Sequence, residues 1–416
     1  MKQILRINTD RLKKAACLLS FVYLFIAYVY FYFFTPASSG DEWLFVSDLD
    51  YIKAHGWMAA VEKSISVPYM IISLPFSFIM ENYVALRLTN FLLVFFLLIY
   101  FFKIAKIRSL YFYGYLSFFL ATSAVFCGGT NDTLFFISLI IFFSEAYLYI
   151  VYRKMNNTTL AFTMLVVAIF TRELVFVYFP ALILAFFFLY KTGFRFFQNK
   201  MLLPFAVFCL FVTINIPCLQ SRGKLSYDDK VAPSSLGVNW RQRQYLAQLM
   251  VNEGKLDNFQ HPSWDETRAY LDKHGNAALP RTLLEGITFD YKMTATEFVK
   301  DFGFSLFFGF RQLALMLFFP FIILFARIYK RDFRSPDMFI PLIMLSVMAI
   351  LSLIVVSYIE PRWFIGIFVP AILFYYMNQR QGKVRQWYLT ANYVLVILFA
   401  FYGMYGIAKS YLNNHP

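Results

Sequence analysis

Apolar runs recur along this chain at lengths that suit a lipid bilayer, and that constrains its fold more than any other feature. The run from Phe91 to Phe102 holds almost no polar group, and the stretch from Ala15 to about Pro36 is comparable. About 20 apolar residues are needed to cross a membrane as a helix. Only structures that satisfy their own backbone hydrogen bonds survive there. Across the 416 residues, 60% are hydrophobic and 15% charged, against roughly a quarter charged in soluble domains. A soluble fold has no interior large enough for so much apolar surface. The chain is therefore expected to be all-α, a polytopic transmembrane helical protein.

Hydropathy places eleven spans, at about 15–36, 86–102, 110–126, 133–152, 159–171, 174–190, 201–217, 304–326, 338–357, 363–377 and 387–407. The basic head (Lys2, Arg6, Arg11, Lys13, Lys14) enters a run too long for a signal peptide and without a small-residue cleavage site before Asp41, so the first span is read as uncleaved. Val67 to Met80 is apolar but short and carries Pro68 and Pro75, which suits an interfacial or re-entrant piece. The expected organisation is an N-terminal transmembrane module over 1–217 with a first external loop at 37–85, bearing surface helices. A helical external loop at 218–303 follows, between spans seven and eight, and then a C-terminal transmembrane region at 304–416.

The net charge of +14 suggests a nucleic-acid binder until its distribution is considered. Basic residues follow apolar runs in short clusters: the head, Lys103–Arg108, Arg153–Lys154, Lys191–Lys200, Arg327–Arg334 and Arg380–Arg385. Those clusters hold 20 basic residues, against 6 on the opposite short segments. That is the positive-inside pattern, with a cytoplasmic N-terminus and an external C-terminus. The long loop balances 11 basic with 11 acidic residues, so no nucleic-acid partner is expected. Ser263 to Glu266 reads as a capping box and Gly275 as a helix stop, and Thr294 with Glu297 repeats the capping signal. Cys127 and Cys218 fall near membrane exits on one face, which leaves a disulfide open, although buried free thiols are the default. His55, His261, His274 and His415 show no metal spacing, and no P-loop, Rossmann or HExxH pattern appears.

On this map the acids collect on one side. Asp41, Glu42, Asp48, Asp50, Glu62, Glu81, Asp132, Glu173 and Glu360 all fall at external helix ends, with Arg87, Arg172 and Arg362 beside them. Asp41-Glu42 directly follows the first span. A carboxylate there can be a solvated collar or a general base. Phe45, Leu49, Ile52 and Ala59 share one face of the stretch that follows, with Asp48, Lys53 and Glu62 toward other faces, as in a surface-lying amphipathic helix. Asn131 or Asp132 can cap the next helix. Arg172-Glu173 and Glu360-Pro361-Arg362 can pair locally or present a guanidinium to phosphate. Glu145 lies within a span, where a carboxylate is either functional or hydrogen-bonded to a neighbouring helix.

The order of these residues resembles the C-type membrane glycosyltransferases, which include protein O-mannosyltransferases and the aminoarabinose transferases of lipid A. The matching positions are Asp41-Glu42, Gly56-Trp57, Pro68, Arg87-Leu88 and Asp132, with Glu360-Pro361-Arg362 similar to a late basic donor-phosphate position. The likeness covers mainly residues 15–190 and, weakly, 338–377. It departs where Val67-Pro68-Tyr69 lacks the lysine of the family's proline-rich signature, and in the long loop that precedes only four spans. Within the family, the length and C-terminal tail are similar to the phage-type, serotype-converting O-antigen glucosyltransferases.

The resemblance implies an enzyme of the bacterial inner membrane, a hexosyltransferase with a periplasmic active site and a periplasmic C-terminus. It would move a sugar such as glucose from polyprenyl-phosphate, with inversion, to a hydroxyl of a cell-surface or lipid-linked glycan. Asp41, Glu42 and Asp132 would be catalytic; Arg87, Arg172 and Arg362 would bind the donor phosphate. No cofactor is required by that scheme, although the three carboxylates leave a divalent cation open. An O-antigen polymerase or ligase shares the substrate class, and a transporter or flippase of lipid-linked sugars is the rival from another class.

Overall fold

The computed structural model describes residues 9–38, 40–228 and 233–414. Lys2, Arg6 and His415 lie outside them. The described residues are helical throughout, with no strand. In chain order the helices are α1 (Thr9–Phe34), α2 (Glu42–His55), α3 (Trp57–Lys63), α4 (Val67–Ser77), α5 (Asn82–Ile99), α6 (Leu110–Ser123), α7 (Asp132–Tyr152), α8 (Thr158–Thr171), α9 (Phe179–Lys191) and α10 (Leu202–Ile214). They continue as α11 (Ile216–Arg222), α12 (Trp240–Asn252), α13 (Trp264–His274), α14 (Leu283–Phe289), α15 (Tyr291–Leu313), α16 (Phe318–Tyr329), α17 (Phe339–Leu353), α18 (Ile365–Arg380) and α19 (Gln386–Asn414).

Six helical segments among the described residues are long and apolar enough to cross a membrane, or seven if the bent pair of α10 and α11 forms one span. They match the expected spans at 15–36, 86–102, 133–152, 304–326, 338–357 and 387–407, with the bent pair at 201–217. The other four expected spans are helices of 13 to 16 residues: α6, α8, α9 and α18. Irregular turns shorten them. Ala124, in the left-handed region, ends α6, and a 3-10 turn at Glu173–Phe176 stands between α8 and α9.

The chain divides into two compact units: Met1–Asp228 with Gly309–Met344 and Phe364–Pro416, and Asp229–Phe308 with Leu345–Trp363. In the first, α7 is buried almost all round, as befits a helix apolar on every face. By contrast α1 and α19 leave Leu18, Phe25, Phe401 and Tyr405 exposed, surface that suits lipid.

Within this unit the basic turns share an end. Thr9 and Thr390, near the starts of α1 and α19, bond at 3.2 Å, and the Cys17 thiol, in the third turn of α1, donates to the Leu110 carbonyl that opens α6. Tyr152, closing α7, accepts from Gln381 at 3.2 Å. Arg153 donates to Thr192 O at 2.6 Å, and Thr159 donates to Lys200 O at 3.0 Å. Arg327 pairs with Asp332 and Asp337. Asp41, Glu42, Arg87 and Asp132 lie toward the other ends of α1, α5 and α7.

The second unit has its own small core of Tyr245, Leu246, Leu271, Leu279, Met293 and Val355. Ser263 and Glu266 form the expected capping box of α13, and Gly275 (φ 94°) stops that helix. Asn239 with Gln242 forms a further box that the sequence analysis did not identify. The Thr294/Glu297 pair does not start a helix. α15 already begins at Tyr291, where the Asp290 carboxylate accepts from Met293 N at 2.9 Å, so Thr294 and Glu297 sit inside it.

The four cysteines are free. Cys127 and Cys218 are therefore not bonded to each other. The Cys218 thiol instead sits 3.5 Å from the Ser64 hydroxyl.

Candidate functional site

The site begins with Glu42 and Arg87, buried to 2% and 4% exposure. Arg87 Nε and Nη2 donate to the two carboxylate oxygens at 2.9 and 2.8 Å. Its remaining N–H groups reach the carbonyls of Tyr32 (3.3 Å), Thr35 (3.2 Å) and Pro36 (2.8 Å), which α1 leaves without helical partners as it ends. Glu42 in turn accepts from Gly129 N at 2.8 Å and Ser38 N at 2.9 Å. Arg87 has five N–H donors, and protein takes all of them. This one pair ties the end of α1, the start of α2, the first turns of α5 and the loop before α7.

Gly129 is required by that contact. A Cβ there would lie 2.5 Å from Leu86 Cβ and 2.7 Å from Glu42 Oε1, closer than any side chain tolerates. Asn90 fixes the same loop by donating to the carbonyls of Gly128 and Thr130.

Three residues on, Asp132 opens α7 at 1% exposure and forms an ion pair with Arg172. The helix N-terminus favours its negative charge. Asp132 is thus an ion-pair partner, and Asn131, at the N-cap, makes no side-chain capping bond. Asn131 Nδ2 instead donates to Thr171 O at 3.2 Å, and Ser66 Oγ donates to the same carbonyl at 2.8 Å. The backbone just before Arg172 is thereby clamped from two loops. Arg172 has partnered with Asp132 across helices, not with Glu173 beside it. Its side chain stays 25% exposed, with exposed Phe176 and Phe179 following.

Asp41 is half-buried at the N-cap of α2, its carbonyl accepting from Leu44 N at 3.2 Å. Exposed Phe33, Phe34 and Trp43 flank it. The surface helix expected here is broken at Gly56 (φ 84°) into α2 and α3. Phe45, Leu49 and Ile52 form its buried face, as expected, but Asp48 joins them at 5% exposure. That corrects its assignment to another face: position 48 lies three residues after Phe45 and four before Ile52, so the helical spacing already placed it there. Burial first, and the Asp228 carboxylate second, push the Asp48 carboxyl up to about 7, with Lys63, 3.8 Å away, opposing. Asp48 Oδ2 is buried without a hydrogen-bond partner.

A strap the sequence did not reveal closes this corner. Ser226 accepts from Ile65 N at 2.8 Å and donates to the carbonyls of Ile65 and Val61, while Tyr227 OH donates to Ile169 O at 2.7 Å. Hydrogen-bonding serines leave no periodic signal.

Arg362 belongs to the second unit, where it pairs with Glu360. Glu145 accepts from Tyr100 OH (3.1 Å), Asn156 N (2.6 Å) and Asn157 N (3.2 Å), which anchors the turn from α7 to α8. No group of three or more His, Cys, Asp or Glu gathers to hold a metal among the described residues. Glu42 and Asp132, considered as cation ligands with Asp41, are each engaged by an arginine instead.

No family model, curated protein or solved structure matches the chain.

Proposed function

We propose that this chain is a membrane glycosyltransferase that moves a sugar from a polyprenyl-phosphate donor to a hydroxyl of a glycan. The observation that carries it is the partly exposed Arg172, held by buried Asp132 and joined through the Glu42–Gly129 hydrogen bond to the helix that begins beside Asp41. A partly exposed guanidinium suits a phosphate, and a half-buried carboxylate suits proton removal. Exposed aromatic residues beside both supply apolar surface for a polyprenyl tail.

In this scheme Asp41 takes the proton of the acceptor hydroxyl. The oxygen attacks the anomeric carbon, the bond from that carbon to the phosphate oxygen breaks, and the electron pair leaves with the phosphate. Arg172 stabilises the charge that develops there. Glu42 and Arg87 move from reacting groups to framework, because Arg87 has no donor left and Glu42 already accepts four hydrogen bonds. The acidic end would face the periplasm and the basic end the cytoplasm, in a bacterial inner membrane.

A transporter would place its substrate groups near the membrane midplane. Glu145, the carboxylate within α7, is instead engaged with Tyr100 and the Asn156–Asn157 backbone.

The test is Asp41→Asn. Surface glycans from cells with and without the protein, compared by mass spectrometry, should differ by one hexose for wild type. The variant should insert normally and lose that difference, with transfer slowed about 10²–10⁴-fold. Unchanged glycan masses between wild-type and deleted cells would sink the proposal.

A further inference from the structure

A second polar site lies at the basic end of the first unit, away from the acids and arginines. A narrow cleft between α1, α6 and α19 is lined by Lys13, Cys17, Ser20, Tyr111, Tyr115 and Tyr393, among others. The Lys13 ammonium lies 3.5 Å from the centre of the Tyr111 ring, an attractive contact for a cation. Among the described residues no carboxylate comes within ion-pair distance of it. Of the acids at the same end, Asp10 lies one turn before Lys13 and acts on it from a distance, and Asp332 and Asp337 are held by Arg327. Lys14 is exposed beside it.

A closed polar network borders the cleft. Tyr115 OH donates to Gln379 Oε1 at 2.9 Å, Gln379 Nε2 donates to the Tyr393 oxygen at 2.8 Å, and the two phenols are hydrogen-bonded to each other. The Lys13 ammonium, with three N–H groups, is the donor left in the lining. The enclosed space is about 10 Å³, enough for one water-sized group. One phosphoryl oxygen has that size. Below the cleft, Leu18, Val22 and Phe25 form an exposed apolar stripe on α1 that continues the face of Lys14.

We infer that this cleft binds the phosphate of an anionic membrane lipid. Lys13 and Lys14 supply the cations, Lys13 donates to the inserted oxygen, and the acyl chains run along Leu18, Val22 and Phe25. Its ligand is structural or regulatory, independent of the transfer proposed above. Basic pockets between membrane helices recognise lipid headgroups on the same physical grounds.

Titration of the full-length purified protein in neutral detergent with phosphatidylglycerol, followed by native mass spectrometry, tests this. Wild type should show one saturable adduct, with phosphatidylcholine binding far more weakly. Lys13→Gln and Lys14→Gln should each weaken phosphatidylglycerol binding about fivefold. Lys330→Gln, a charge change in another basic cluster, should leave it unchanged. Equal binding by wild type and the two lysine variants would overturn the site, as would an equal loss in Lys330→Gln. Inorganic phosphate that displaced the lipid at millimolar concentration would assign the cleft to a free anion instead. Where Lys13→Gln fails to fold, Lys14→Gln decides, since Lys14 is exposed and its replacement disturbs no packing.

Discussion

The first unit holds two buried carboxylate–arginine pairs, Glu42–Arg87 and Asp132–Arg172, at the same end and built from the same chemistry. They differ in exposure. Arg87 is buried and every N–H is taken by protein, three of them by carbonyls at the end of α1. Arg172 meets a buried carboxylate and keeps a quarter of its side chain exposed. A guanidinium serves a ligand only where the ligand can reach it. The first pair is therefore framework and the second a candidate contact. Sequence position alone does not separate them, because both arginines follow or open a helix at the same expected membrane face.

The largest effect is expected from breaking the first pair. Arg87→Ala leaves the Glu42 carboxylate buried without its cation and frees three carbonyls, and loss of one partner of a buried pair costs about 3–5 kcal/mol. That is a large share of the roughly 5–15 kcal/mol by which proteins are stable. Glu42→Gln should behave similarly, and Gly129→Ala should match it because the added Cβ meets Leu86 and Glu42. Melting in detergent measures all three. Variants that melted like wild type but failed only in transfer would return Glu42 to the catalytic role, and Arg87 to the phosphate-binding role, first read from the sequence.

Next comes Arg172→Lys. It keeps the charge opposite Asp132, so melting should move little, while the loss of fork geometry should weaken donor affinity about tenfold. Arg172→Ala is a poorer probe, because it strands Asp132 at the start of α7. Arg362→Lys should cost less than Arg172→Lys, since Arg362 is already engaged by Glu360. Donor binding by the two purified variants ranks them, and the reverse order would transfer the main phosphate contact to the second unit.

Much of this fold was legible because lipid solubility leaves a one-dimensional signature. Long apolar segments at 15–36 or 133–152 need no knowledge of their neighbours, and neither does the capping box at Ser263, whose two hydrogen bonds span three residues. Spans that neighbours interrupt were harder. The 3-10 turn at Glu173–Phe176 depends on Thr171 being clamped by Ser66 and Asn131, from loops 105 and 40 residues away. The site was legible as a list of residues at one end, but their pairing was not. Arg172 stands next to Glu173 in sequence and bonds Asp132, 40 residues earlier, a choice made by packing of α7 against α8.

The last contrast separates both arginine pairs from Asp48, a buried acid with no arginine. Its nearest charges are Lys63 at 3.8 Å, out of hydrogen-bond range, and the Asp228 carboxylate. Burial therefore dominates, and the carboxyl rises from 3.8 to about 7. The sign follows from proton binding: between those values the folded chain keeps a proton that the unfolded chain releases, so stability falls as pH rises. The contribution is fully present below about 3.8 and gone above about 7, with a slope of at most about 1.4 kcal/mol per pH unit. Asp48→Asn removes the titration. Its melting temperature should therefore exceed that of wild type at pH 8, and the gap should shrink as pH is lowered toward 5. A gap of constant size from pH 5 to 8 would show that Asp48 stays ionised in the folded chain, and that Lys63 neutralises it as effectively as the arginines neutralise Glu42 and Asp132.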